Sequence, residues 1–167
     1  VMEKAARAAA DAHRFGRYGF FLYDQTGEEQ YRTWIERNAE WLKNSPQSEN
    51  GVFGCVEDSS RKISGSVMFS VYPFYMEYET RYHNKAEYAQ IVRQLLALAP
   101  SEQADMEQKG WYLMAVIDVI DSMSREIFEH YKSLEEIFKK TIRNILAAGW
   151  NNDFSKKESA MMGYSII

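Results

Sequence analysis

The sequence predicts an all-α fold built from helical hairpins, and three observations carry that prediction. Breakers are sparse, with 3 Pro and 9 Gly in 167 residues, while aromatic residues make up 14%; this is the composition of helices packed through large side chains. Apolar residues recur at helical spacing in one window after another. Finally, Thr26–Ile35 (TGEEQYRTWI) and His83–Val92 (HNKAEYAQIV) align as weak repeats 57 residues apart. Each joins an apolar helix, through a tight polar turn and a tyrosine, to an amphipathic helix. Alternating inner and outer helices are the unit of α/α toroids and helical solenoids, and two similar hairpins in an ordinary bundle give the same pattern.

The elements follow in order. Met2–Phe21 reads as a helix, alanine-rich early and apolar later at Phe15, Tyr18 and Phe20, with Gly16 and Gly19 weakening it. Asp24–Glu29 is a polar turn in which Gly27 can take positive φ. A second helix from Glu28 to Lys43 places Tyr31, Trp34, Ile35, Trp41 and Leu42 on its apolar face. Residues 44–51, beginning NSPQSEN, are linker-like. Residues 52–66 form a loop, and Gly51–Val56 at the junction reads as a short strand or an extended segment. Val67–Tyr82 is a helix buried on most sides, kinked or started by Pro73. His83–Lys85 turns the chain into a helix over Ala86–Ala99, which Pro100 stops. Gly110–Met123 is an apolar helix whose Asp118 and Asp121 mark a wet side. Arg125–Ala148 keeps the helical period longest, carries Glu135→Lys139 and Glu136→Lys140 pairs in the favourable order, and ends at Gly149 as a C′ residue. Trp150–Lys157 is a polar loop, and Ser159–Ile167 starts a last helix. Residues 1–167 read as a single domain of 19.5 kDa.

Composition excludes several classes of function. A formal net charge of −4 without a basic stripe argues against nucleic acid. No apolar stretch is long enough to span a membrane. Glu3, Lys4 and Arg7 within the first ten residues mark a helix and not a signal sequence. The single cysteine, Cys55, forms no CxxC motif. His13, His83 and His130 are scattered without ligand spacing, so no metal is expected, and no glycine-rich phosphate loop is present. Ser64, Ser66 and Cys55 lack the local frame of a nucleophile. Carboxylates are the remaining chemistry: Glu57 and Asp58 beside the glycine-rich segment, and Glu77, Glu79, Asp105, Asp118 and Glu158 on helix starts and faces. Carboxyl groups beside aromatic platforms are what glycoside hydrolysis uses, and solvated helix faces carry them equally well.

Four ordered segments resemble the unsaturated glucuronyl and rhamnogalacturonyl hydrolases, glycoside hydrolase families 88 and 105. Tyr18–Tyr31 (YGFFLYDQTGEEQY) is similar to the first hairpin of these families. Met68–Tyr78 (MFSVYPFYMEY) resembles the helix after their W-x-D-G-x-x-M loop. Lys109–Asp121 (KGWYLMAVIDVID) resembles their R-x-x-G-W-x-x-M-A-x-x-D helix, and Lys157–Ile166 (KESAMMGYSI) a later L-E-x-S-x-x-x-M-x-x-Y-A-I helix. The resemblance implies helical hairpins of an (α/α)6 toroid, incomplete in this chain. It also implies removal of an unsaturated uronic sugar from lyase-generated oligosaccharides, by aspartate-assisted hydration of the double bond and without metal or cofactor. Closing the ring would take missing segments or a partner chain. The expected setting is cytoplasmic, where such oligosaccharides arrive after import.

The same alignment shows departures. The aspartate of the W-x-D-G loop falls at Ser64, and a hydroxyl does not protonate a double bond as a carboxylic acid does. The arginine four residues before the Gly-Trp tryptophan falls at Glu107, which would repel a uronate. The catalytic residues are therefore unassigned, and the candidates for binding sugar are Trp111, Tyr72, Glu158 and Asp58. The alternative reading is a non-catalytic helical binding or structural module that has lost its acids.

Overall fold

The structure, a computed structural model, describes residues 17–44, 63–147 and 154–166. These residues form seven helices and no strand: α1 over 17–26, α2 Glu29–Asn44, α3 Gly65–Arg81, α4 Tyr88–Ala97, α5 Met106–Ser122, α6 Phe128–Ala147 and α7 Lys156–Ile166. The alanine-rich start of the first helix, His13, Cys55, Asp58, the Gly51–Val56 segment, most of the linker and loop at 44–66, and the Gly149 cap lie outside the described residues.

Capping chemistry accounts for the boundaries the periodicity misplaces. α1 runs on past Phe21 to residue 26, where the Thr26 hydroxyl donates to the Leu22 carbonyl at 2.8 Å and Gly27, at φ +68°, ends the helix. α5 begins four residues before Gly110, because Asp105 accepts the Gln108 N–H at 2.7 Å. Replacing Asp105 by alanine is expected to cost about 1 kcal/mol in a denaturant titration. α7 begins at Lys156 under a capping box: Ser155 N–H donates to Glu158 Oε2 at 2.8 Å, and Glu158 N–H donates back to Ser155 Oγ at 3.2 Å. Pro73 sits buried inside α3, neither starting nor ending it.

The helices alternate between two layers. α3, α5 and α7 pack side by side, while α4 and α6 pack on each other behind them, with α3–α4, α5–α6 and α2–α3 contacts joining the layers. The inner helices run parallel. Gly65 at the start of α3 abuts Trp111 near the start of α5, and at the far ends Thr80 Oγ1 lies 2.9 Å from the Ser122 carbonyl oxygen. Lys157 at the start of α7 reaches Glu107 in the first turn of α5. The weak repeat is the sequence trace of this alternation, with α1–turn–α2 and α3–turn–α4 as its two copies.

The main core gathers Phe20, Leu42, Phe74, Ile91, Leu95 and Val116. The tyrosines reach it by anchoring their hydroxyls: Tyr112 donates to the Leu95 carbonyl at 3.0 Å, Tyr72 donates to Gln94 at 2.9 Å, and Tyr88 accepts the Ser124 N–H at 2.8 Å. A second, smaller cluster of Leu113, Ile145, Met161 and Met162 fixes α7 against α5 and α6.

Two expected faces are corrected. On α2 the buried stripe is Ile35, Asn38, Ala39 and Leu42, at i, i+3, i+4 and i+7. Trp34 and Trp41 flank that stripe and are 36% and 44% exposed. On α6 Glu135 pairs with Lys139 at 2.8 Å as expected, but Glu136 pairs back to Lys132 at 3.8 Å, since it has a lysine one turn away on each side.

The α3–α4 turn is organised by one buried carboxylate. Glu79 is completely inaccessible to solvent. Its oxygens accept from His83 Nδ1 at 2.8 Å and from the Glu87 N–H at 2.9 Å, while its own carbonyl accepts the Lys85 N–H at 2.8 Å. Asn84 and Lys85 take the left-handed conformation, φ 54° and 62°, to close the loop.

Candidate active site

The shared starting end of the inner helices holds an indole fixed on several sides. Ser64 caps α3 with extended backbone, its Oγ accepting the Val67 N–H at 3.4 Å and lying 3.3 Å from Ser66 Oγ. The next residue must be glycine, because a Cβ on Gly65 would stand 2.5 Å from Trp111 Cβ, Cγ and Cδ1. The Phe69 ring packs against the indole at 5.8 Å, and the indole Nε1–H donates to Glu107 Oε1 at 3.3 Å. The Lys157 ammonium lies over the ring, 5.7 Å from its centroid, and is ion-paired with Glu107. The acid that replaces the expected arginine is thus neutralised by a cation supplied from α7.

Lys157, and secondarily the indole N–H, hold the Glu107 carboxyl below the usual carboxylate range. A depressed folded-state value means that Glu107 favours folding above its ordinary titration range and loses that contribution as pH falls through the lowered value. In a carbon-detected NMR titration Glu107 is expected to titrate below an ordinary glutamate, and to move back toward ordinary behaviour in the Lys157→Met variant. No displacement between the two titrations would contradict the pairing.

Farther along the same face, Arg17 of α1 lies over the Phe69 ring at 5.9 Å and donates to Asp118 Oδ2. The Tyr164 hydroxyl donates to Asp118 Oδ1 at 2.8 Å, and its ring meets Phe69 edge-on at 6.0 Å. Burial, then the neighbouring Asp118, raise the proton affinity of the Tyr164 hydroxyl. Asp118 is therefore not on a wet side as expected: it is buried and engaged through both oxygens, and only Asp121 is exposed. Beyond it, Glu77 pairs with Arg81 at 2.7 Å, and Arg81 pairs with Asp24 at 2.8 Å. Burial pushes the Glu77 carboxyl above the usual carboxylate range, against the opposing pull of Arg81 and Arg17.

Of the residues singled out in sequence, Trp111 and Ser64 come together through Gly65. Glu158 caps α7 one residue from Lys157 and is committed to the Ser155 N–H. Tyr72 is fully buried and hydrogen-bonded to Gln94 in the outer layer, away from any surface a sugar could reach. Asp58 lies outside the described residues. Sequence reasoning missed Lys157, Arg17, Phe69 and Tyr164. The available signal was the spacing of Glu107, Trp111, Met114 and Asp118, which share one stripe of α5. Among the described residues no cluster of His, Cys, Asp and Glu could hold a metal ion, and no helix is long and apolar enough to cross a membrane.

Alternating layers of helices, with an aromatic platform and paired charges along the inner layer, describe a protein of the α/α-toroid class. The family model of Glycosyl Hydrolase Family 88 matches residues 1–107, and the chain belongs to that family, that of the unsaturated glucuronyl hydrolases. It is a glycoside hydrolase-like protein. Comparison with curated proteins and with solved structures gives no match. Ser64, Gly65, Phe69, Glu77 and Glu107 lie within the matched residues, whereas Trp111, Asp118, Lys157 and Tyr164 follow them.

Proposed function

We propose that this chain acts as a hydrolase on oligosaccharides bearing an unsaturated uronic sugar at the non-reducing end, in the cytoplasm. The family match carries the reading, and the inner face supports it. Trp111 offers a rigid surface for a sugar ring, and Arg17 and Lys157 place cations near that surface, as an acidic sugar requires. The inner helices α3, α5 and α7 begin at the same end, so their partial positive charge favours an anion there.

The reaction adds a proton to the enol-ether double bond and water to the neighbouring carbon, and the adduct opens to release the rest of the chain. It needs an acid that still carries its proton near neutral pH. Ser64 cannot be that acid. No described carboxyl is assigned to that role: burial raises the proton affinity of Glu77, but its carboxylate is ion-paired with Arg81. The test is incubation with an unsaturated uronyl disaccharide, following the ultraviolet absorbance of the double bond. Loss of absorbance that survives in Ser64→Ala supports the reading, and no loss at any enzyme concentration overturns it. A second reading, a binding module without turnover, draws on Ser64 at the position of the family's aspartate. It predicts retention of the disaccharide with its absorbance intact.

A further inference from the structure

We infer that Lys157 is a movable cation that selects a sugar carboxylate at Trp111, with Glu107 as its resting partner. The inference rests on the proposed function for the class of ligand and goes beyond it in naming the residue that discriminates. The indole is held by the α3 backbone at Gly65, by the Phe69 ring and by its own hydrogen bond to Glu107. The Lys157 ammonium lies over that fixed ring, at 5.7 Å from its centroid. A sugar stacking on the face of the indole that the ammonium covers meets that ammonium.

The lysine is able to move. Its side chain is 52% exposed and that of Glu107 is 50% exposed, and an ion pair in that setting is weak. The capping box orders the first turn of α7 and Met161 and Met162 seat the helix against α5, so the exposed lysine side chain is the part freest to move. A neutral sugar that displaces the ammonium breaks the cation–π contact and the ion pair and gives nothing in return. A sugar carrying a carboxylate offers the ammonium a replacement partner beside the same ring, and the exchange is close to balanced before stacking is counted. Discrimination thus comes from a penalty on neutral sugars as well as from attraction of acidic ones.

The test uses methyl β-D-glucuronide and methyl β-D-glucoside, which differ in a carboxylate against a hydroxymethyl group. Binding is read from the indole N–H signal of Trp111, assigned by its disappearance in Trp111→Phe. The glucuronide is expected to bind at least about tenfold more tightly than the glucoside, the difference a charge-assisted hydrogen bond gives. Lys157→Met, which keeps the aliphatic stem, should weaken the glucuronide about tenfold and leave the glucoside equal or improved. Glu107→Gln, which frees the lysine, should tighten the glucuronide severalfold. Equal binding of the two glycosides, or a glucuronide affinity untouched by Lys157→Met, overturns the inference. Turnover of the unsaturated disaccharide is scored separately. Turnover with KM unaltered in Lys157→Met removes the inference and leaves the proposed hydrolase intact. Selective glucuronide binding without turnover removes the hydrolase and keeps the inference.

Discussion

Replacing Glu79 by alanine is expected to destabilise the protein by about 3 kcal/mol, measured by denaturant unfolding. The carboxylate is fully buried and accepts from both His83 Nδ1 and the Glu87 N–H. Its loss leaves the Glu87 N–H without its acceptor and turns the His83 imidazole, 36% exposed, to water; an unmet donor costs about 1–3 kcal/mol where it is buried. It also removes the side-chain anchor of a loop that holds two consecutive non-glycine residues, Asn84 and Lys85, at positive φ. That conformation costs roughly 1 kcal/mol or more per residue. The burial of a carboxylate is itself unfavourable, which brings the net below the sum of these terms. Glu79→Gln retains one acceptor oxygen and should lose about half as much. A Glu79→Ala protein within 0.5 kcal/mol of the parent, the usual range for a surface change, would mean that the turn is set by the backbone alone.

Gly65→Ala sets two effects against each other, and the magnitudes choose between them. Alanine is preferred to glycine in a helix by about 1 kcal/mol, so propensity alone predicts a gain. The added Cβ, however, would stand 2.5 Å from three atoms of Trp111, one of them its Cβ, which cannot swing aside without moving α5. Overpacking of that kind costs about 1–3 kcal/mol, so after the propensity gain a net loss of about 1 kcal/mol, and at most about 2, is expected. The indole should shift, altering the near-ultraviolet circular dichroism, and under the proposed hydrolase activity turnover of an unsaturated disaccharide should fall at least about tenfold, the scale of a small misplacement in a binding surface. Gly163→Ala is the matched control, since a Cβ there meets nothing within 4 Å. It should stabilise by about 0.5–1 kcal/mol. If Gly65→Ala behaved like Gly163→Ala, the close approach of α3 to the indole would not be rigid.

Periodicity located the helices because each buries one stripe, and the hairpin repeat was legible because it is a topological unit. What periodicity could not supply was context across helices. Asp118 sits where a solvated acid would, three residues before Asp121, yet Arg17 and Tyr164 are brought to it from 101 and 46 residues away. Trp34 and Trp41 look like core residues by size, but Ala39 and Asn38 occupy the stripe between Ile35 and Leu42. Glu79 looks like any helical acid until the chain folds back on it. At the site, Trp111 was recognisable from its motif, whereas Lys157 was not, because a lysine in a polar stretch carries no sign of the helix it will face. The early starts of α5 and α7 are set by Asp105 and Ser155, short polar signals that apolar periodicity does not register.

The methionines that seat α7 have a bearing on oxidative damage. Met161 and Met162 are 5% and 2% exposed, and a Cβ on Gly110 would lie 2.8 Å from Met161 Sδ, so the last helix docks through thioethers against bare backbone. Conversion of either to the sulfoxide would put a polar oxygen into an apolar seam and release the helix that carries both Lys157 and Tyr164. Both sulfurs are nearly covered while α7 is docked, so their oxidation by peroxide should quicken if α7 lifts, and its rate would serve as a clock for that opening. A sugar held between α5 and α7 would slow the clock, and would thereby shield the protein from peroxide.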